Sequence, residues 1–183
     1  MRGSRPIRQY GKWKTDLKKR IILTVLAATL LLLLYMMIFG FSAQDAEESG
    51  GLSQMVSQKC VDLLNDLSGR DWTTDYMKHL TEWFEHPLRK LAHFSEYACM
   101  GILLYVLWSQ WIRRGRRLYL LIGAWLFVSA ALDEFHQFFV PGRYCSLKDV
   151  LLDTCGGICG IVLLTLIIKG RKKSRENQPR RYR

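Results

Sequence analysis

Hydrophobic positions gather in four blocks that differ in purity. The first, residues 21–41, holds twenty-one residues without a charge. As a helix it is about 31 Å long, enough to cross a bilayer. Lys18-Lys19-Arg20 precede it, as they would precede the apolar core of a signal peptide. That core is too long for one, and Phe41 blocks the −3 position of the only small-residue exit, at Ala43. The pattern therefore predicts an uncleaved anchor. Three weaker blocks follow at 91–112, 119–140 and about 148–168. Each is long enough to cross, and each is polar at one end only. His93 and Glu96 lie near the start of the second, Asp133, Glu134 and His136 near the end of the third, and Asp153 near the start of the fourth.

Between the first two blocks, residues 42–88 carry nine acids and three basic residues. Two amphipathic helices are readable there. Leu52, Met55, Val56, Leu63, Leu64 and Leu67 keep helical spacing in the first, which Ser68-Gly69 ends. Trp72, Tyr76, Leu80, Trp83 and Phe84 form the stripe of the second, with Asp71 as its N-cap and Pro87 as its stop. So short a segment buries little core by itself. Its stripes are expected on the spans or in the headgroup layer, as a structural cap or as a lid over a site.

Charge changes the picture. A net +11 and a pI of about 9.6 invite a nucleic-acid reading, and a mean hydropathy of −0.01 suits a soluble chain. The distribution removes both. Residues 1–20, the loop at 113–117 and the tail from 169 together hold 20 basic and 2 acidic residues, a net of +18. The rest holds 7 basic and 14 acidic residues, a net of −7. Basic and acidic flanks thus alternate across the four spans, which puts both termini in the cytoplasm. The fold expected is an all-α membrane protein: a four-transmembrane-helix bundle, N-in and C-in, with a small helical extracytoplasmic cap at 42–88. Basic cytoplasmic tails at 1–20 and 169–183 flank a membrane domain at 21–168. Nucleic acid is not an expected partner, since no aromatic interleaving or binding motif accompanies the basic tails. Anionic lipid is.

With that topology, the polar residues of spans two to four converge in the outer leaflet, with Arg89, Lys90 and Arg143 at its mouth. Helical spacing puts Lys90, His93 and Tyr97 on one face, and likewise His93 and Glu96. Asp133, His136 and Gln137 share a face of span three, and Asp149 and Asp153 a face of span four. A charge facing lipid at mid-helix costs about 2.5–3.5 kcal/mol on insertion scales. Inward-facing groups that pair with Arg or Lys are therefore expected, either as bundle-holding salt bridges or as a functional cavity. Ser146-x-x-Asp149 reads as a capping box, making Asp149 a structural cap. Val140-Pro141-Gly142-Arg143 reads as a tight turn that holds Arg143 above the carboxylates, where it can neutralise them or take a phosphate bidentately. Gly156-x-x-x-Gly160 permits close helix approach. Cys155 and Cys159 are read as packing residues. Five cysteines make no complete disulfide framework, and Cys60–Cys145 is the one pairing the topology allows.

These residues also carry a resemblance. Arg89-Lys90-Leu-Ala-His93-Phe-Ser-Glu96-Tyr97 resembles the first signature of VanZ-like membrane proteins, and the run from Asp133-Glu134 through His136-Gln137 to Pro141-Gly142-Arg143 resembles the second. Ser146-x-x-Asp149 with Asp153 and the glycines resembles the third, and Phe41-Ser42-Ala-Gln44 matches a further element. The three signatures occur in order over roughly 35–168. The resemblance implies a bacterial, Gram-positive cell envelope and a link to reduced teicoplanin susceptibility. It implies no settled reaction.

Three functions compete. A non-catalytic envelope protein would bind a membrane lipid, a lipid-linked cell-wall precursor or a lipoglycopeptide, with Arg89, Lys90, Arg143, Gln137 and Tyr97 as ligand-binding residues. An intramembrane enzyme acting on a lipid phosphate or lipid-linked sugar would draw its catalytic groups from His93, Glu96, Asp133 and Glu134. A proton-coupled transporter is disfavoured, since the inner halves of the spans hold almost no ionisable residue. No cofactor is required by the first reading. His93-x-x-Glu96 and Asp133-x-x-His136 do resemble in spacing the carboxylate–His pairs that hold metals between bundle helices. Oligomeric state is not legible.

Overall fold

A computed structural model describes residues 5–43 and 46–176. The side chains of 1–15 and 175–183, which carry most of the basic tails, and those of 44–50, Gln44 included, and of Leu52, lie outside the described residues. Five α-helices follow in order: α1 (Arg5–Ser42), α2 (Ala46–Ser68), α3 (Thr74–Trp108), α4 (Arg116–Gln137) and α5 (Leu147–Glu176). Among the described residues there is no strand. Four helical stretches are long and apolar enough to cross a membrane: Asp16–Ser42, Thr74–Trp108, Arg116–Gln137 and Leu147–Ser174. Their outward faces carry Ile22, Leu32, Met36, Leu120 and Leu163, each more than half exposed. Lipid, not water, suits so continuous an apolar surface.

α3 is the central element, packing most extensively on α5 and then on α2 and α1. Its contact with α5 is backbone to backbone. A Cβ on Gly156 would meet the Phe94 carbonyl, and one on Gly160 the Ala98 carbonyl. On the other side, a Cβ on Gly101 would meet the carbonyl of Gly157. Small residues let two helices approach this closely where no hydrophobic force draws them together in lipid. Cys155 and Cys159 do not share in the seam. Both are exposed, because the glycines at 156, 157 and 160 turn the opposite face of α5 to α3.

Three expected boundaries shift. α3 does not stop at Pro87 but runs through it, with the ring on an exposed position. The proline forfeits one backbone hydrogen bond, but α2 packs on one half of the helix and α5 on the other. The N-cap is Thr73 rather than Asp71, and its Oγ1 accepts from the Tyr76 N–H at 3.4 Å. At its far end α3 stops at Trp108, not Ile112. Ser109 Oγ and Gln110 Nε2 both donate to the Val106 carbonyl, which the ending helix leaves unpartnered.

α2 also turns differently from the stripe its spacing suggests. Ser57 and Val61 are fully buried, while Met55, Val56, Leu63, Leu64 and Leu67 are exposed. Its contact with α3 thus uses a narrow polar-and-apolar seam, leaving the larger apolar stripe outward.

Candidate functional site

Along α4 one stripe is buried throughout: Leu118, Ile122, Leu126, Ser129, Ala130, Asp133, Glu134 and Gln137. It begins apolar and ends polar. The apolar half joins Met100, Leu104 and Tyr105 of α3 in the core. The polar half lies where α1 and α4 end and α5 begins, so its groups meet those of three other helices.

Each buried group there has a traceable partner or lacks one. Gln137 Nε2 donates to Asp133 Oδ2 (3.0 Å) and to Ser42 Oγ (3.2 Å), which ties α1 to α4. Asp133 is 1% exposed, and its second oxygen, Oδ1, accepts no hydrogen bond. Glu134 Oε2 accepts from the Ser146 N–H at 2.8 Å. That N–H is the one a capping box would give to Asp149. The Asp149 carboxylate instead pairs with Lys90 Nζ at 2.5 Å, bridging α3 and α5. Arg89 pairs with Glu85 on its own helix, and Ser53 of α2 reaches the same carboxylate at 3.5 Å. Residues 140–143 form the expected turn, with the Arg143 N–H on the Val140 carbonyl (3.2 Å) and Gly142 at φ +77°. A glycine suits the positive φ that a type II turn demands. Arg143 Nη2 then reaches back to the Phe41 carbonyl at 3.2 Å, closing the mouth over the end of α1.

Two cavities flank α3 at this level. One, of about 270 Å³, lies between α3, α4, α5 and the 140–143 turn, and its wall includes Lys90, Glu134, Gln137, Arg143, Asp149 and Asp153. The other, of about 350 Å³, lies toward α1 and α2, and is lined by Phe41, Val56, Leu88, Leu91, Ala92 and Glu96 among others. Arg89 and His93 border both. A polar chamber and a mainly apolar one thus adjoin along one helix.

The chemistry is consequently redistributed from its expected pattern. Glu96 lines the apolar chamber, with Oε2 3.6 Å from His93 Nδ1. Tyr97 is 1% exposed, belongs to the core and lines neither chamber. His136 packs its ring against Phe39, at 5.4 Å between centroids, and is not grouped with Asp133 as a ligand pair. The groups that do converge are His93, Asp133 and Asp153, with ligand atoms all within 4.8 Å of one another. Asp153 comes from α5, which spacing within α3 and α4 cannot reveal. Cys60 and Cys145 are both free, so the pairing that topology allowed is not formed.

The profile described as VanZ/LLP1 matches residues 27–168. The chain belongs to the VanZ/LLP1 family. The match runs from α1 into α5 and takes in every residue of both chambers. No curated protein and no solved structure matches the chain. Family membership and four span-length helices together make this a VanZ-like multi-pass membrane protein. Within the family frame, Ser42 gains a physical role that its place in the sequence leaves unstated: it is the α1 partner of the Gln137–Asp133 pair.

Proposed function

We propose that this VanZ/LLP1 protein binds an amphiphile with a phosphate-bearing headgroup, a membrane lipid or a lipid-linked cell-wall precursor, in the outer leaflet. The observation that carries the reading is the adjacency of the two chambers across Arg89 and His93. The headgroup would enter the polar chamber, where Arg143 and Lys90 supply donors for phosphate oxygens. The acyl part would lie against Val56, Leu88 and Leu91. The lipid tail of a lipoglycopeptide such as teicoplanin fits the same division. A protein that holds such tails or their precursors at the surface lowers drug access to the cell wall.

The test is lipid retention. The full chain is purified from bacterial membranes into a mild detergent beside Arg143→Ala and Arg89→Ala, and bound lipid is identified by mass spectrometry. One phosphate-bearing lipid class enriched over the bulk membrane, and depleted at least about tenfold in a variant that still folds, supports the reading. Bulk-like lipid in all three proteins sinks it. A second reading, turnover of a lipid phosphate, is favoured by the His93–Asp133–Asp153 cluster, of which His93 and Asp153 line the polar chamber. Release of phosphate or of an altered headgroup from the retained lipid would establish it.

The orientation rests on the alternation of charge, with both termini in the cytoplasm and α2 outside. Cys60 and Cys145 are exposed and free, so they report it directly. A membrane-impermeant maleimide is expected to label intact cells at these two residues and to lose that label in the Cys60→Ser/Cys145→Ser double variant. Labelling only after lysis would invert the topology.

A further inference from the structure

Carboxylates buried in an apolar bundle need a counter-charge, a proton or a set of hydrogen bonds. Two cations of this site are paired with other carboxylates: Lys90 with Asp149, and Arg89 with Glu85. Asp133 takes hydrogen bonds from Gln137 and Ser42, but its Oδ1 has none, although the residue is 1% exposed. Asp153 is 3% exposed and makes no hydrogen bond or ion pair among the described residues. Neither carboxylate has a lysine or arginine as its partner. Within reach of both lies His93, whose Nδ1 makes no hydrogen bond and has Glu96 Oε2 as its nearest charge, at 3.6 Å. Three helices thus deliver three potential ligands to one point, and two of the three are almost wholly buried.

We propose that His93, Asp133 and Asp153 bind a divalent transition-metal ion at the floor of the polar chamber. The donor set, one imidazole nitrogen and two carboxylate oxygens, suits Mn²⁺ or Zn²⁺: imidazole favours zinc and its neighbours, and carboxylates favour manganese. An ion about 2.0–2.2 Å from each donor needs the donors no more than about 4.4 Å apart. The present spread of up to 4.8 Å closes with a small side-chain rotation of Asp153, which nothing else restrains. His93 and Asp153 also line the chamber. The remaining coordination positions therefore face the space in which water or an anionic ligand would sit. The ion supplies the positive charge that Asp133 and Asp153 lack. The inference stands whether or not the chamber takes a lipid, because the metal alone is the probe.

The full chain in detergent, stripped with EDTA and dialysed, is titrated with Mn²⁺, and the loss of the free-ion electron paramagnetic resonance signal is followed. One equivalent is expected to bind, and Zn²⁺ to displace it. Asp153→Asn and His93→Gln are each expected to weaken binding at least about tenfold. Asp66→Asn, on the exposed face of α2, is expected to leave it unchanged. Thermal unfolding confirms that each variant is folded, and because Asp153 has no partner to lose, its variant is the safer of the two. Absence of stoichiometric uptake by the unaltered chain overturns the proposal. So does uptake that Asp153→Asn and His93→Gln leave intact. A rise in melting temperature for Asp153→Asn, without any Mn²⁺ uptake by the unaltered chain, would assign the buried pair to a shared proton instead.

Discussion

α3 and α5 meet twice, and the two meetings are built on opposite terms. Around Phe94, Ala98 and Gly101 the helices touch through backbone, with Gly101, Gly156 and Gly160 each leaving no room for a Cβ. Within two turns of that seam, toward the start of α5, the same helices face each other with His93, Lys90, Asp149 and Asp153 around a chamber. The tight seam tolerates no added volume, while the chamber end tolerates polar groups that a packed core would not. Precise approach at the seam is what holds the two helices at a defined separation at the chamber. The glycines therefore act on the site from a distance, as spacers.

Breaking the seam should do the most damage. Gly160→Ala places a methyl group against the Ala98 carbonyl, a backbone atom that cannot rotate away. It is expected to cost about 3 kcal/mol, the upper end for overpacking, read as a lower melting temperature in detergent. Gly123→Ala on α4 is the matched control. A Cβ there has nothing within 4 Å, and the substitution should be neutral or stabilising by up to about 1 kcal/mol. Equal destabilisation by both would show that the seam is not special.

At the chamber end the largest structural effect should come from Glu134. Removing its carboxylate in Glu134→Ala uncovers the Ser146 N–H that begins α5, at a cost of about 1–2 kcal/mol. Glu134→Gln keeps an acceptor oxygen and should recover part of that loss. No difference between the two would mean that the hydrogen bond does not hold α5. The smallest effect belongs to Lys90–Asp149. Their side chains are 38% and 27% exposed, and a double-mutant cycle should return a coupling of only about 0.2–1 kcal/mol. A coupling several times larger would mean that this bridge, and not the glycine seam, sets the separation of the helices.

Much of this was legible in the chain. Four span-length segments, the turn at 140–143, the close approach at Gly156 and Gly160 and the three motif runs are all periodic or contiguous features, which local chemistry determines. The misread features are those where two forces compete. Pro87 disfavours a helix locally, but packing on α2 and α5 carries α3 through it. Asp149 fits a capping box, but Lys90 lies close enough to claim its carboxylate, and Glu134 takes the vacated N–H. The stripe of α2 predicts a buried face, yet its contact with α3 runs through Ser57 and Val61.

By itself, the sequence determined that the chain forms long apolar helices, that its polar groups sit at corresponding ends of three of them, and to which family it belongs. These follow from hydropathy, charge alternation and motif order, all properties of neighbours along the chain. Only the tertiary structure decided which of those polar groups meet. Asp153 joins His93 and Asp133, while Glu96 faces the other chamber, Tyr97 sinks into the core and His136 turns to Phe39. The reason is rotational. Residues three or four apart share a face of one helix, but which way that face points depends on how each helix is turned about its axis. Here the glycine contact between α3 and α5 and the Ser42–Gln137–Asp133 link between α1 and α4 set that rotation.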